Sequence, residues 1–241
     1  HRQSSAASDV YKRQVLRRTR RVRRGLGSIR QDLNVSIGAG DRVEIKGCQD
    51  LAWIPQIIRL EMARQLHFYR LANDLRKASE LPPLPPHRDL DDETVELQVA
   101  GVVAKHLPLD LHDVSALFGN TQSGMIAEGL AARSVMMALP LKGMLGHLGT
   151  KVHDESGAQL PRLGRELAGA AKLAGVKGIF HADELPAYGI TDAEVQTVRK
   201  HLDLGQADGF VLCCAPEWQA RLALEATLNR ARLAWHRIPQ E

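Results

Sequence analysis

Between Gly25 and Gly47, in GLGSIRQDLNVSIGAGDRVEIKG, Arg30, Asp32, Asn34 and Ser36 occupy alternate positions, as do Arg42, Glu44 and Lys46 further on. Ile29, Leu33, Val35 and Ile37 interleave with the first set, and Val43 and Ile45 with the second. Successive residues of extended backbone point to opposite faces, so the apolar set packs inward and the polar set shares one surface. Two carboxylates, a guanidinium, an ammonium and an amide converge there. Magnesium takes hard oxygen ligands and phosphoryl oxygens take cations, which makes phosphate chemistry the natural use of that assortment. The same pattern also describes a hairpin with one solvated face.

Both polar rows reach one face only if cross-strand partners keep even parity, because a slip of one residue exchanges the faces. Pairing Ser36 with Arg42, Asn34 with Glu44 and Asp32 with Lys46 satisfies this and leaves an odd-length loop, Gly38-Ala39-Gly40. Gly40 is then expected in the left-handed position of a bulged turn. Asp32 would face Lys46 as a favourable cross-strand pair. Behind the hairpin, Asp50 is suited to cap a helix with Pro55 in its first turn. Ile54, Ile57, Ile58, Leu60, Leu71 and Leu75 carry its apolar stripe to about Lys77. Glu61, Arg64 and Gln65 meet on successive turns of that helix.

LPPLPPH, from Leu81 to His87, cannot continue a helix. The acidic run Asp89, Asp91, Asp92, Glu93 reads as a solvated connection. Beyond it, short β-like runs alternate with helices, giving an α+β class. Strands are expected in TVELQVAGVVA, RSVMMALP, VKGIF and DGFVLCCA, with a short turn or helix in DLHDVSALF. Helices are expected over about Ser123 to Ala131, Arg162 to Ala174 before Gly175, Thr191 to His201, and Glu217 to Trp235. Leu222, Leu224, Ala226, Leu228 and Leu233 would dock the last one on the sheet. His181, Asp183 and Glu184 in HADE invite a metal reading, but no second histidine stands at ligand spacing, and hydrogen bonding at a strand end accounts for them equally.

The chain has 241 residues, 44% apolar and 25% charged, with no apolar run near the length of a membrane span. Aromatics are only 4%, so the interior must be aliphatic. The net charge of +4 is concentrated in Lys12, Arg13, Arg17, Arg18, Arg20, Arg21, Arg23 and Arg24, a phosphate-binding strip or a solvated arm. Three cysteines give no disulfide framework; Cys213 and Cys214 are adjacent in a strand and point to opposite faces, and free thiols suit a reducing cytoplasm. Residues 1–14 carry no signal-peptide organisation and read as a non-native tail.

The strings RRGLGSIRQDLNVSI and RVEIKG, then Gln49-Asp50-Leu51, Glu61 and Arg64-Gln65, resemble the GatB/GatE family of tRNA-dependent amidotransferases. LPLKGMLG, RLGRELA and GIFHADELPAYGIT resemble its archaeal GatE branch, which is distinguished by an insertion like that of bacterial aspartyl-tRNA synthetases. The resemblance implies a partial catalytic (cradle) domain over 15–80, a linker over 81–93 and the inserted α+β domain over 94–241. It implies an internal fragment, inactive alone, of a cytoplasmic enzyme that uses ATP and Mg2+ to phosphorylate the γ-carboxylate of glutamate esterified to tRNA(Gln). Ammonia from GatD, an asparaginase-like partner, then displaces the phosphate, and the two proteins form a heterotetramer. The implied catalytic set is Arg30, Asp32, Asn34, Glu44 and Lys46, with Asp32 and Glu44 on the metal and Arg30, Lys46, Gln49 and Arg64 on the nucleotide. Two other readings stay open: a piece of an aspartyl-tRNA synthetase, and a non-catalytic tRNA- or partner-binding module working through the basic strip.

Overall fold

The computed structural model describes residues 11–12, 14–21, 31–87 and 92–237. Arg30 and part of the basic strip (Arg13, Arg23 and Arg24) therefore lie outside the described residues, as do Asp89 and Asp91 of the acidic run. Lys12, Arg17, Arg18, Arg20 and Arg21 are exposed.

Strands β1 (Gln31–Val35) and β2 (Val43–Cys48) form an antiparallel two-stranded sheet. Asn34 pairs with Glu44, Leu33 with Ile45 and Val35 with Val43, so the expected parity holds. At the far end the register shifts, and Gln31 pairs with Cys48. Lys46 and Gly47 together oppose Asp32, a bulge that Gly47 permits with a φ of 75°. The turn also differs from expectation. The ladder stops before Ser36 and Arg42, and Gly40 is not left-handed; its amide bonds the Ile37 carbonyl at 3.0 Å.

Asp50 caps a short 3-10 turn, accepting from the Ala52 N–H at 2.9 Å, and helix α1 (Ile54–Ala78) follows with Pro55 in its first turn. The proline-rich stretch then folds back along α1. Leu84 is buried, its N–H bonds Asn73 Oδ1 at 2.7 Å, and its carbonyl accepts from the Tyr69 hydroxyl at 3.1 Å.

TVELQVAGVVA is not a strand. It lies in helix α2 (Asp92–His106), where Val99 and Val103, with Leu107 just beyond, recur every four residues and are buried. A four-stranded antiparallel sheet follows in the order β3-β4-β6-β5, with β3 (His112–Asp113), β4 (Val135–Leu141), β5 (Phe180–His181) and β6 (Gly209–Ala215). Of VKGIF, only Phe180 is in a strand.

Both faces of this sheet are covered. Met137, Leu139 and Leu141 of β4, with Val211, Cys213 and Ala215 of β6, face α4 (Leu163–Lys172) and α6 (Glu217–Arg232). Met136, Ala138, Phe210 and Leu212 face the side of α3 (Gly124–Ala131) and α5 (Asp192–His201). Strand alternation sorts the two cores, and it sends Cys213 and Cys214 to opposite sides, as expected. Gly175, with a φ of 83°, follows α4, and Thr191 caps α5 in a capping box with Glu194. Leu222 does not dock on the sheet; it is exposed, while Ala223, Leu224, Thr227 and Leu228 are buried. Phe68, Leu71 and Leu75 of α1 belong to the same core as α4, α6 and one sheet face. In packing, therefore, the chain does not divide at its prolines.

Candidate functional site

The face expected to carry chemistry exists as a surface. Asp32, Asn34, Ser36, Arg42, Glu44 and Lys46 are all exposed, while Leu33, Val43 and Ile45 between them are half-buried and Val35 is buried. Glu44 sits across from Asn34 and beside Lys46, whose ammonium lies 3.3 Å from its Oε2. Asp32 does not pair with Lys46 as expected. The bulge turns the Gly47 N–H onto Asp32 Oδ1 at 2.9 Å, so a backbone donor orients the carboxylate instead of an ammonium. Lys46 is thereby left to Glu44 and solvent, with its side chain 70% exposed. Gln49 is exposed just past β2.

Arg64 is not brought to this face. Its guanidinium grips Glu61 through two bonds, Nε to Oε2 at 2.8 Å and Nη2 to Oε1 at 3.0 Å, and reaches Glu166 Oε1 at 3.2 Å. Arg230 donates to the other oxygen of Glu166, and both guanidinium groups lie about 6 Å from the centre of the Phe68 ring, at 5.9 and 5.7 Å. Burial works against the Arg64 charge, but the bonds and negative charge of Glu61, with Glu166 behind it, hold its pKa above the ordinary arginine value. Gln65, only 1% exposed, links this network to the hairpin. Sequence reasoning missed Glu166, Arg230 and the bulge at Gly47. The first two are separated from Arg64 by more than a hundred positions, and no local pattern signals them.

The carboxylate of Asp183 in HADE is taken up by backbone donors. Its oxygens accept from the N–H groups of Gly146 (2.8 Å), Leu148 (2.8 Å) and Gly149 (2.7 Å), closing a loop onto the sheet end. His181 is buried, and burial, only partly offset by Glu184 and then Asp183, pulls its pKa below the ordinary histidine value. Among the described residues, no group of three or more His, Cys, Asp or Glu gathers as a metal cluster. Asp32 and Glu44 still suit magnesium as two hard donors on an open face, which is all an ion needs from protein when water and substrate phosphates complete its shell. A depression of about 690 Å³, bordered by Arg59, His67, Arg70, His147 and His153, includes none of the hairpin residues in its lining. It lies on the opposite side of α1 from Glu61 and Gln65.

The family model described as the GatB/GatE catalytic domain matches residues 2–136. That range includes most of the first fourteen residues set apart above, and it runs past the prolines into β4. The chain is 41% identical over 227 residues to the E subunit of the glutamyl-tRNA(Gln) amidotransferase of Thermococcus gammatolerans, covering 94% of this chain and 32% of that protein. Its counterpart in Pyrococcus furiosus is likewise 41% identical, with 94% and 32% covered. That of Methanosarcina acetivorans is 40% identical, with 94% and 31% covered. The chain thus spans about a third of the length of the curated relatives it matches. With the family model covering more than half of its residues, the chain belongs to the GatB/GatE catalytic domain family.

Proposed function

We propose that the exposed face of the β1–β2 hairpin is a phosphoryl-transfer surface of an ATP-dependent amidotransferase that converts glutamyl-tRNA(Gln) to glutaminyl-tRNA(Gln). The observation that carries this is the one-sided row Asp32, Asn34, Glu44, Lys46 held open to solvent in a member of this family. Phosphoryl transfer asks a protein mainly for positioning and charge neutralisation. Lys46 and Arg30 would neutralise phosphoryl oxygens, Asn34 would donate its amide, and Gln49 stands at the rim for the nucleotide. Asp32 and Glu44 would hold magnesium, whose chemistry is to bridge and neutralise ATP phosphates. Asp32 enters with one oxygen fixed by the Gly47 N–H. Arg64, taken up by two carboxylates, would act behind the face and not on the nucleotide.

In this reading the γ-carboxylate of the tRNA-borne glutamate attacks the γ-phosphorus of ATP, forming an acyl phosphate and releasing ADP. Ammonia then attacks the acyl carbon, phosphate leaves, and a proton is lost to give the amide. An asparaginase-like partner, GatD, would supply the ammonia, within a cytoplasmic heterotetramer. The sheet domain beyond the prolines would correspond to the insertion shared with bacterial aspartyl-tRNA synthetases. Its covered four-stranded sheet supports that assignment.

The test is Glu44→Gln in the assembled enzyme. Phosphorylation of glutamyl-tRNA should fall about a hundredfold or more while tRNA binding is retained, since a preorganised charge at the reacting phosphate is lost. Unchanged phosphorylation refutes the assignment.

A further inference from the structure

The hairpin is only two strands wide, and a lone two-stranded hairpin is marginal in water. What fixes its direction lies at its turn. Gln65 reaches from α1 to the outer edge of β1, where its Nε2 donates to the Val35 carbonyl at 3.2 Å and its Oε1 accepts the Ile37 N–H at 3.2 Å. A carbonyl at one residue and an N–H two residues on lie on the same strand edge, so this side-chain amide stands where a third strand would. The remaining proton of Nε2 goes to Glu61 Oε1 at 2.9 Å, which Arg64 also holds. The turn is packed around the same amide. A Cβ on Gly40 would come within 2.2 Å of Gln65 Oε1, and one on Gly38 within 2.8 Å of His87 Nδ1. From the other side, Arg237 donates to the Ala39 carbonyl at 2.6 Å and to the Pro85 carbonyl at 3.1 Å.

We infer that Gln65 is a positioning residue for the phosphoryl-transfer face: it sets the angle at which Asp32, Asn34, Glu44 and Lys46 are presented, and Gly40 is the glycine that lets it do so. The inference rests on the reading of that face given above. Only an amide of this length satisfies both edge groups, because a carboxylate cannot donate to Val35 or Glu61 and an apolar side chain can do neither. The β1–β2 ladder and its apolar face remain after a substitution, so the fold survives while the face loses its fixed angle. Misplacement of about 1 Å in such a site is worth roughly a hundredfold in rate.

The decisive variants are Gln65→Glu, which keeps the shape, and Gly40→Ala, which displaces the amide while leaving it intact. In the assembled enzyme, each should lower kcat for phosphorylation of glutamyl-tRNA by about tenfold to a hundredfold. KM for the tRNA should stay within about twofold, and the double variant should be no worse than the poorer single one, because both remove one contact. Amide exchange at Ile37 should accelerate in both, and the melting transition should stay cooperative with a fall of roughly ten degrees at most, larger for Gln65→Glu, which gives up its bonds to Val35 and Glu61. Unchanged kcat with accelerated exchange overturns the inference, as does a loss of activity that merely follows a collapse in melting temperature. Glu44→Gln run alongside separates the two levels. If it keeps full activity, the face itself is misassigned; if it is inactive while Gln65→Glu is not, only the positioning role fails.

Discussion

Among single residues, His181 shows how little a side chain's type decides its work. Its ring packs so closely on α4 that a Cβ on Gly164 would lie 2.5 Å from Cδ2 and Nε2. Burial is the main reason its pKa falls below the ordinary value of 6.5, and His67 is lowered for the same leading reason. In the unfolded chain both protonate near that ordinary value, so the unfolded state binds more protons than the folded one just below it. The stability these groups contribute is therefore complete above about pH 6.5 and is lost as the pH falls towards their folded values. The urea midpoint should drop between about pH 7.5 and about pH 5.5, and His181→Asn should flatten that dependence even though it lowers the midpoint overall. A wild-type midpoint that holds or rises on acidification would refute the assignment. Asp183, two positions on, serves the loop it closes; chemistry-bearing residue types at a strand end were legible in the sequence, but their backbone partners, more than thirty positions away, were not.

At the scale of elements, the bulge at Gly47 decides how Asp32 is presented. A side chain at a φ of 75° costs about 1–2 kcal/mol, so Gly47→Ala should weaken the end of the hairpin by about that much. Amide exchange in β2 should rise roughly tenfold, and Gly47→Asn should be milder because asparagine tolerates the left-handed region. An alanine variant with unchanged exchange would show that the bulge relaxes elsewhere. The alternation of Asn34 and Glu44 with Leu33, Val35, Val43 and Ile45 made the paired faces legible, but period-two pattern carries no mark of an extra residue. Capping was legible for the opposite reason, since Thr191 and Glu194 act over three positions. The failure at α2 has a physical cause too. Val95, Val99, Val102 and Val103 favour a strand by propensity, yet a core contact every four residues outweighs a preference worth only tenths of a kcal/mol each. A short β-branched run does not reveal which contacts await it.

At the scale of the molecule, α1 joins two parts that composition suggested were separate. One stripe holds the hairpin through Gln65, and Phe68, Leu71 and Leu75 enter the core beneath the four-stranded sheet. Arg76, also buried, donates to the carbonyls of Pro82 (2.6 Å) and Trp235 (2.9 Å), so helix, proline-rich stretch and the 3-10 turn after α6 meet at one residue. Trp235 is 1% exposed, whereas Trp53 and Trp218 are 61% and 64% exposed. A buried-tryptophan signal therefore reports this junction. Leu75 is fully buried in the same core, and truncating it to alanine should cost about 2–5 kcal/mol through lost burial and the cavity left behind. If α1 and the sheet unfold as one cooperative unit, Leu75→Ala will lower the Trp235 transition and the far-UV helix signal together, at a common temperature. An early partial loss of helix with the Trp235 transition unmoved would instead show that α1 melts separately. The hairpin would then be carried on a detachable arm, and Glu166 and Arg230 would not hold Arg64 through that step.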